Sequence, residues 1–242
     1  KKISENSIEA ADNLKFLEHL SGPCQALAEA DPKAICDILP ELLGYIRMIW
    51  SLSKYYNTPE RVTGLLRKIS NEIIRRCCTK VDLKNIFFYD QDVVEKAMVS
   101  LEESIRCGVL WKRIFRKTAA AIALSSSSRE KKEDWSTFDD AAIFAQIDAF
   151  VQRCRDLIEV CEGQLQFCPL PPRFGGTRGH EIAKALLDIR SQCEAHVDRL
   201  RSLDYDILDV KTSKWHDDYS VFKNAVKDLE VMYTNVMQAA FE

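Results

Sequence analysis

Apolar residues recur along this chain at alternating spacings of three and four, the mark of helices that each bury one face. The last stretch shows it best. Trp215, Tyr219, Phe222, Val226, Leu229, Tyr233, Val236 and Ala240 hold the alternation through more than three repeats, which makes a heptad seam. It predicts a helix from about Trp215 to Phe241 packed along a long, nearly parallel partner helix. That partner is either in this chain or on another subunit.

The same pattern divides the rest of the chain. Residues 8–30 predict a weak helical lead-in interrupted at Gly22-Pro23. Asp31-Pro32 is a cap followed by proline at the first helical position, opening a helix to about Tyr56. Its buried face is Ile35, Leu39, Leu42, Ile46 and Ile49, with Leu43 and Trp50 beside it, and Pro40 is placed to bend its first turns. Thr58-Pro59 repeats the cap. Val62, Leu66, Ile69, Ile73 and Cys77 line the next helix, while Arg67, Lys68, Glu72, Arg75 and Arg76 fall off that line. The short connection predicts an antiparallel hairpin. A third long helix spans about Asp92 to Leu124 along Val94, Met98, Leu101, Ile105, Gly108, Trp111, Phe115 and Ile122. Its acids come first and its bases last, which complements the helix dipole.

Ser125–Asp134 has no apolar residue and reads as a flexible linker. Asp139 or Asp140 caps a fourth helix, to about Cys161, whose broad face (Ile143, Ile147, Phe150, Cys154, Leu157 and Cys161, widened by Phe144, Val151 and Ile158) calls for more than one neighbour. Gly163–Gly179 reads as a break rich in proline and glycine. A fifth helix follows with Ile182, Leu186, Ile189, Cys193, Val197 and Leu200 on one side. The expected fold is all-α, an elongated stack of long antiparallel helices. One bundle is expected over 1–124, a linker over 125–138 and a second bundle over 139–242.

Composition narrows the function classes. With 46% hydrophobic and 29% charged residues the balance is that of a soluble globular chain, and eight glycines and seven prolines are too few for many short strands. A net charge of −3 argues against a nucleic-acid partner. No apolar run reaches the roughly 18 residues a membrane helix needs. The N-terminus (Lys1-Lys2-Ile3-Ser4-Glu5) lacks a signal-peptide core and a starting methionine, so the chain is expected to be a piece of a longer protein. The nine cysteines include no Cys-x-x-Cys pair and read as small buried hydrophobes.

Catalytic chemistry is nearly absent from the pattern. A phosphate-cradling loop needs Gly-x-x-x-x-Gly-Lys-Ser/Thr. Phe174-Gly-Gly-Thr-Arg-Gly179 comes nearest and lacks the lysine, and Gly64-Leu-Leu-Arg-Lys68 is mid-helix. His19, His180, His196 and His216 form no i, i+4 pair. His216-Asp217-Asp218 reads as either a weak metal cluster or a solvated helix start. Pro169-Leu-Pro-Pro172 fits a Pro-x-x-P ligand or a stiff linker. Adjacent Cys77 and Cys78 point apart on a helix, one to the core. No catalytic, cofactor-binding or metal residue is expected; the candidate site is the seam Trp215, Tyr219, Phe222, Val226, Leu229, Tyr233 and Val236.

Several ordered segments resemble a known family. Ile46–Arg61 (IRMIWSLSKYYNTPER), Leu65–Arg76, Phe144–Gln164, Phe174–Gly179, Tyr205–Lys211, Trp215–Tyr219 and Lys227–Tyr233 are similar to the tail of axonemal dynein heavy chains, in their N-terminal region 1. They cover most of residues 32–242. Residues 1–31, 125–134 and the surroundings of Cys168-Pro169 match less well, the last as if shortened. The resemblance implies a non-catalytic part of an ATP-driven microtubule motor of the ciliary axoneme, whose ATPase modules lie elsewhere. It implies a scaffold that pairs with other heavy chains and carries WD-repeat intermediate chains and light chains, with the doublet microtubule reached indirectly and no membrane contact. The Trp50 helix and Cys77-Cys78 lean toward an inner-arm type. The alternative is direct microtubule contact through the basic faces at Arg75-Arg76 and Lys112–Lys117.

Overall fold

Helices form where the apolar periodicity places them. The computed structural model describes residues 2–125 and 135–241, and among these residues there is no strand. The helices are α1 (Lys2–Glu29), α2 (Pro32–Leu52), α3 (Pro59–Cys78), α4 (Leu83–Ile86), α5 (Gln91–Ser125), α6 (Asp140–Phe167), α7 (Gly176–Arg201) and α8 (Lys214–Phe241). The expected all-α class is what is seen.

Caps set the boundaries. The Asp31 carboxylate accepts from the Lys33 amide at 3.2 Å, and Pro32 opens α2. Thr58 and Pro59 start α3, although the Thr58 hydroxyl makes no capping bond. Asp139 Oδ1 accepts from the amides of Ala141 (2.9 Å) and Ala142 (3.2 Å) before α6.

The structure differs from the sequence reading in several places. α1 runs unbroken through Gly22-Pro23. A mid-helix proline costs about 3 kcal/mol, and Leu20 and Leu27, buried on either side, help offset it. α2 stops at Leu52 instead of Tyr56, because the buried Ser53 hydroxyl takes the amides of Tyr55 (3.3 Å) and Tyr56 (2.9 Å) and turns the chain. α6 continues past Cys161 to Phe167 and carries Gly163 inside it. There the missing side chain admits α8: a Cβ on Gly163 would stand 3.3 Å from Phe222 and 3.4 Å from Val226. The short helix α4 was not expected.

Two compact units are discernible, and both are discontinuous in sequence. The first comprises Lys1–Lys80 and Glu103–Val151; the second comprises Val81–Glu102 and Gln152–Glu242. The linker expected around 125–134 falls on residues 126–134, which lie outside the described ones. Of its expected end, Trp135 and Phe138 are buried.

In the first unit α1 packs on α2 and α3. Ile35, Leu39, Leu42, Leu43, Ile46 and Ile49 of α2 are fully buried, as are Val62, Leu66, Ile73 and Cys77 of α3. Each such aliphatic side chain contributes about 1.5–3 kcal/mol. Aromatic rings fill the remainder. Phe115 stacks on Trp135 at 5.5 Å and meets Phe144 edge-on at 5.3 Å, and Trp50 meets Phe138 at 5.0 Å. A buried polar link crosses this core: Trp111 Nε1 donates to Ser70 Oγ at 2.9 Å, and Ser70 Oγ donates to the Ile143 carbonyl at 3.0 Å. Thus α3, α5 and α6 are fixed by one hydroxyl.

On α5 the buried line includes Ala97, Ser104 and Cys107, while Met98 and Ile105 are only half-buried. On α6, Val160 is buried and Ile158 half-buried. In both helices the face is rotated slightly from the predicted one.

Candidate functional site

The heptad seam lies on α8, in the second unit, where α7 and α8 pack together. Trp215, Tyr219, Phe222 and Leu229 are buried within the chain, and Val226, Tyr233 and Val236 are half-buried. The Trp215 and Tyr219 rings stack at 5.8 Å, and Tyr233 meets Phe167 edge-on at 6.0 Å. Val231 is 61% exposed and Val221 is 40% exposed, so α8 also presents apolar surface outside its buried line.

Trp215 is anchored by charge that the periodicity did not reveal. Its Nε1 donates to Asp156 Oδ2 at 2.9 Å, and Asp156 Oδ1 accepts from Gln152 at 2.9 Å. The Arg153 guanidinium lies over the Trp215 ring at 5.4 Å and donates to the carbonyls of Ile207 and Thr212 (3.2 Å to the latter). Burial pushes the Arg153 pKa below its ordinary value, against the pull of Asp156. Arg153 thereby holds the connector 202–213, where Ile207 and Leu208 are buried, against α6. Polar residues interrupting the wide apolar face of α6 were the available signal.

A second cluster follows one turn on. Tyr219 donates its hydroxyl proton to Glu159, and Lys223 Nζ donates to the same carboxylate oxygen at 2.8 Å. Burial works upward on Glu159, yet the bonds from Lys223 and Tyr219 outweigh it and hold its pKa below the usual carboxylate value. Burial and the bond to Glu159 raise the Tyr219 pKa. Gln164, also buried, donates to the Ile86 carbonyl at 2.6 Å.

The glycine-rich segment has a conformational role. Gly176 adopts φ +76°, a left-handed value that favours glycine. A Cβ on Gly179 would stand 2.6 Å from Phe174 Cβ and 2.9 Å from its carbonyl carbon, so the chain folds back over the first turn of α7. The Pro-x-x-P segment lies in the connection between α6 and α7. Its Pro169, Pro171 and Pro172 line a small cleft with Phe167, Leu186 and Tyr233, while Leu170 is 75% exposed.

Four of the basic residues are engaged within the first unit. Arg76 donates to the carbonyls of Ala30 (3.0 Å) and Glu29 (3.3 Å), and Arg75 to that of Ala28 (3.4 Å), clamping the end of α1. Lys112 pairs with Asp148 at 2.6 Å and Arg116 with Asp140 at 3.2 Å. His216 is exposed, and Asp218 accepts from Tyr205 at 2.8 Å. Among the described residues no group of three His, Cys, Asp or Glu side chains is arranged to hold a metal ion. No helix among them is long and apolar enough to cross a membrane.

Comparison with known proteins gives a consistent result. A family model described as "Dynein heavy chain, N-terminal region 1" matches residues 1–242. The dynein-1-beta heavy chain of the flagellar inner arm I1 complex of Chlamydomonas reinhardtii is 51% identical over 242 residues, 99% of this chain and 5% of that protein. The dynein beta chain of the flagellar outer arm of the same alga is 25% identical over 236 residues, 97% of this chain and 5% of that protein. Dynein axonemal heavy chain 5 of Rattus norvegicus is 26% identical over 247 residues, covering 100% of this chain and 7% of that protein. The chain therefore spans about a twentieth of the length of the curated relatives it matches.

Proposed function

Since the chain belongs to the dynein heavy chain N-terminal region 1 family, we propose that it serves as a non-catalytic scaffold within the tail of an axonemal motor. On this reading it works in the cytoskeleton of the ciliary axoneme. It supports pairing with other heavy chains and carries WD-repeat intermediate chains and light chains, and contact with the doublet microtubule is indirect. ATP turnover belongs to other parts of the motor, and this segment needs no cofactor.

The observation that carries the reading is the family match over the full 242 residues. Geometry agrees with it. The buried polar side chains Ser70, Arg153, Asp156 and Gln164 bond to neighbouring helices and connectors, a use suited to bearing load. The higher identity to an inner-arm chain, 51% against 25–26%, supports an inner-arm type.

The test separates folding from assembly. In the full-length heavy chain, Val221→Asp with Val231→Asp changes the exposed apolar surface of α8 and leaves the buried Leu229 in place. The expected outcome is an unchanged melting curve for the segment and reduced co-purification of intermediate and light chains. Normal co-purification and normal incorporation into axonemes would reject a role for this face in assembly.

A further inference from the structure

We infer that Cys168 and Cys193 form an oxidisable dithiol, a modification site that a small-molecule disulfide of the glutathione disulfide class converts into a disulfide within the chain. The inference is independent of the tail reading. The two sulfurs stand 3.6 Å apart, in contact but unbonded. Cys168 follows the last turn of α6, at the start of the proline-rich connection, and Cys193 is buried in the middle of α7. Bond formation needs the sulfurs to close to about 2 Å, a movement that the connection after Phe167 can supply.

Access is one-sided, as a stepwise exchange requires. Cys168 is half-buried and lines an open cleft of about 110 Å³, together with Phe88, Tyr89, Gln164, Leu165 and Pro169. Cys193 is fully buried behind it, its Sγ 3.8 Å from the Gly163 carbonyl. The hydrogen bond between the two sulfurs lowers the Cys168 pKa, against the effect of burial, and raises that of Cys193. Cys168 is therefore the thiolate that attacks first. It loses its proton to solvent, bonds to one sulfur of the small disulfide and releases the other as a thiol. Cys193 then gives up its proton, attacks the Cys168 sulfur and releases the second small thiol. The chain loses two protons and two electrons, and one disulfide oxidant becomes two thiols. The product ties the end of α6 to the middle of α7 and closes a ring through the connection, which restricts the unfolded chain.

Among the remaining cysteines, Cys36 and Cys77 each hydrogen-bond to the sulfur of Cys107, a separate thiol cluster in the first unit. Cys154 and Cys161 lie fully buried on α6, and burial pushes the Cys161 thiol up to about 12. Cys24 is exposed, and burial of its sulfur together with the charge of Glu72 raises its pKa. It serves as an internal reporter that oxidant has reached the protein.

The test uses the intact chain, reduced and then exposed to excess glutathione disulfide, alkylated, digested with trypsin and read by mass spectrometry. The expected product joins the peptides Asp156–Arg173 and Ser191–Arg199 through Cys168 and Cys193, with Cys24 carrying a mixed disulfide. Oxidation should also raise the urea midpoint. In Cys193→Ser, Cys168 should accumulate as a mixed disulfide; in Cys168→Ser, Cys193 should stay reduced. The inference is overturned if Cys24 reacts while wild-type Cys168 stays reduced or stops at the mixed disulfide, or if the fragments place the bond at Cys161.

Discussion

The hydroxyl of Ser70 is a small group with a large expected effect. It accepts from Trp111 Nε1 and donates to the Ile143 carbonyl, and Ser70 and Trp111 are both fully buried. Ser70→Ala removes one oxygen and leaves the indole N–H of Trp111 without its partner. A buried donor orphaned in this way costs about 1–3 kcal/mol, more than the net worth of an ordinary hydrogen bond. For a chain of this size each 1 kcal/mol corresponds to roughly 2–4 °C of melting temperature. The clean measurement is a double-mutant cycle with Trp111→Phe, by urea denaturation followed with far-ultraviolet circular dichroism. In the Trp111→Phe background there is no indole N–H to orphan. Loss of the bond to Ile143 is common to both arms and cancels. Ser70→Ala should then cost about 1 kcal/mol less in that background than in the wild type. Equal costs in the two backgrounds, within about 0.3 kcal/mol, would refute the claim that this hydrogen bond joins α5 to α3.

Two further outcomes follow from the second unit. Gly179→Val places a side chain against Phe174, its Cβ alone 2.6 Å from the Phe174 Cβ and 2.9 Å from the carbonyl carbon, and should destabilise by roughly 1–3 kcal/mol, read as a lower thermal midpoint. Glu159 has a lowered pKa in the folded state, so its contribution is present above the unfolded value of about 4.3 and is lost as pH falls through the folded value. The stability difference between wild type and Glu159→Gln, from urea midpoints across pH, should therefore be constant near neutrality and shrink as pH falls below the unfolded value of about 4.3.

Local information was enough for the helices and their inner faces. The repeats on α2, α3, α7 and α8 survive almost residue by residue, because each buried line follows from the helical period alone. Where the reading failed, a distant partner decided the outcome. Gly163 looked like a break, and it is a helical position kept bare for Phe222 and Val226, about sixty positions away. Pro23 looked like an interruption, and helix packing on both sides overrides it. Trp135 sat beside a polar run with no periodic neighbour, yet it stacks on Phe115. In the seam, Trp215 and Tyr219 were legible as apolar positions. Their bonds to Asp156 and Glu159 were not, because contacts between helices about sixty residues apart leave no trace in spacing.

The clamp at the end of α1 grips main-chain oxygens. Every residue type supplies a carbonyl, so positions 28–30 are free to drift in sequence while the grip persists. The gripping side is not interchangeable in the same way. A lysine ammonium is a point charge without the planar fork that lets Arg76 reach two successive carbonyls. Tolerance to substitution at this corner is thus lopsided: permissive where the chain is held and strict where the arginines do the holding.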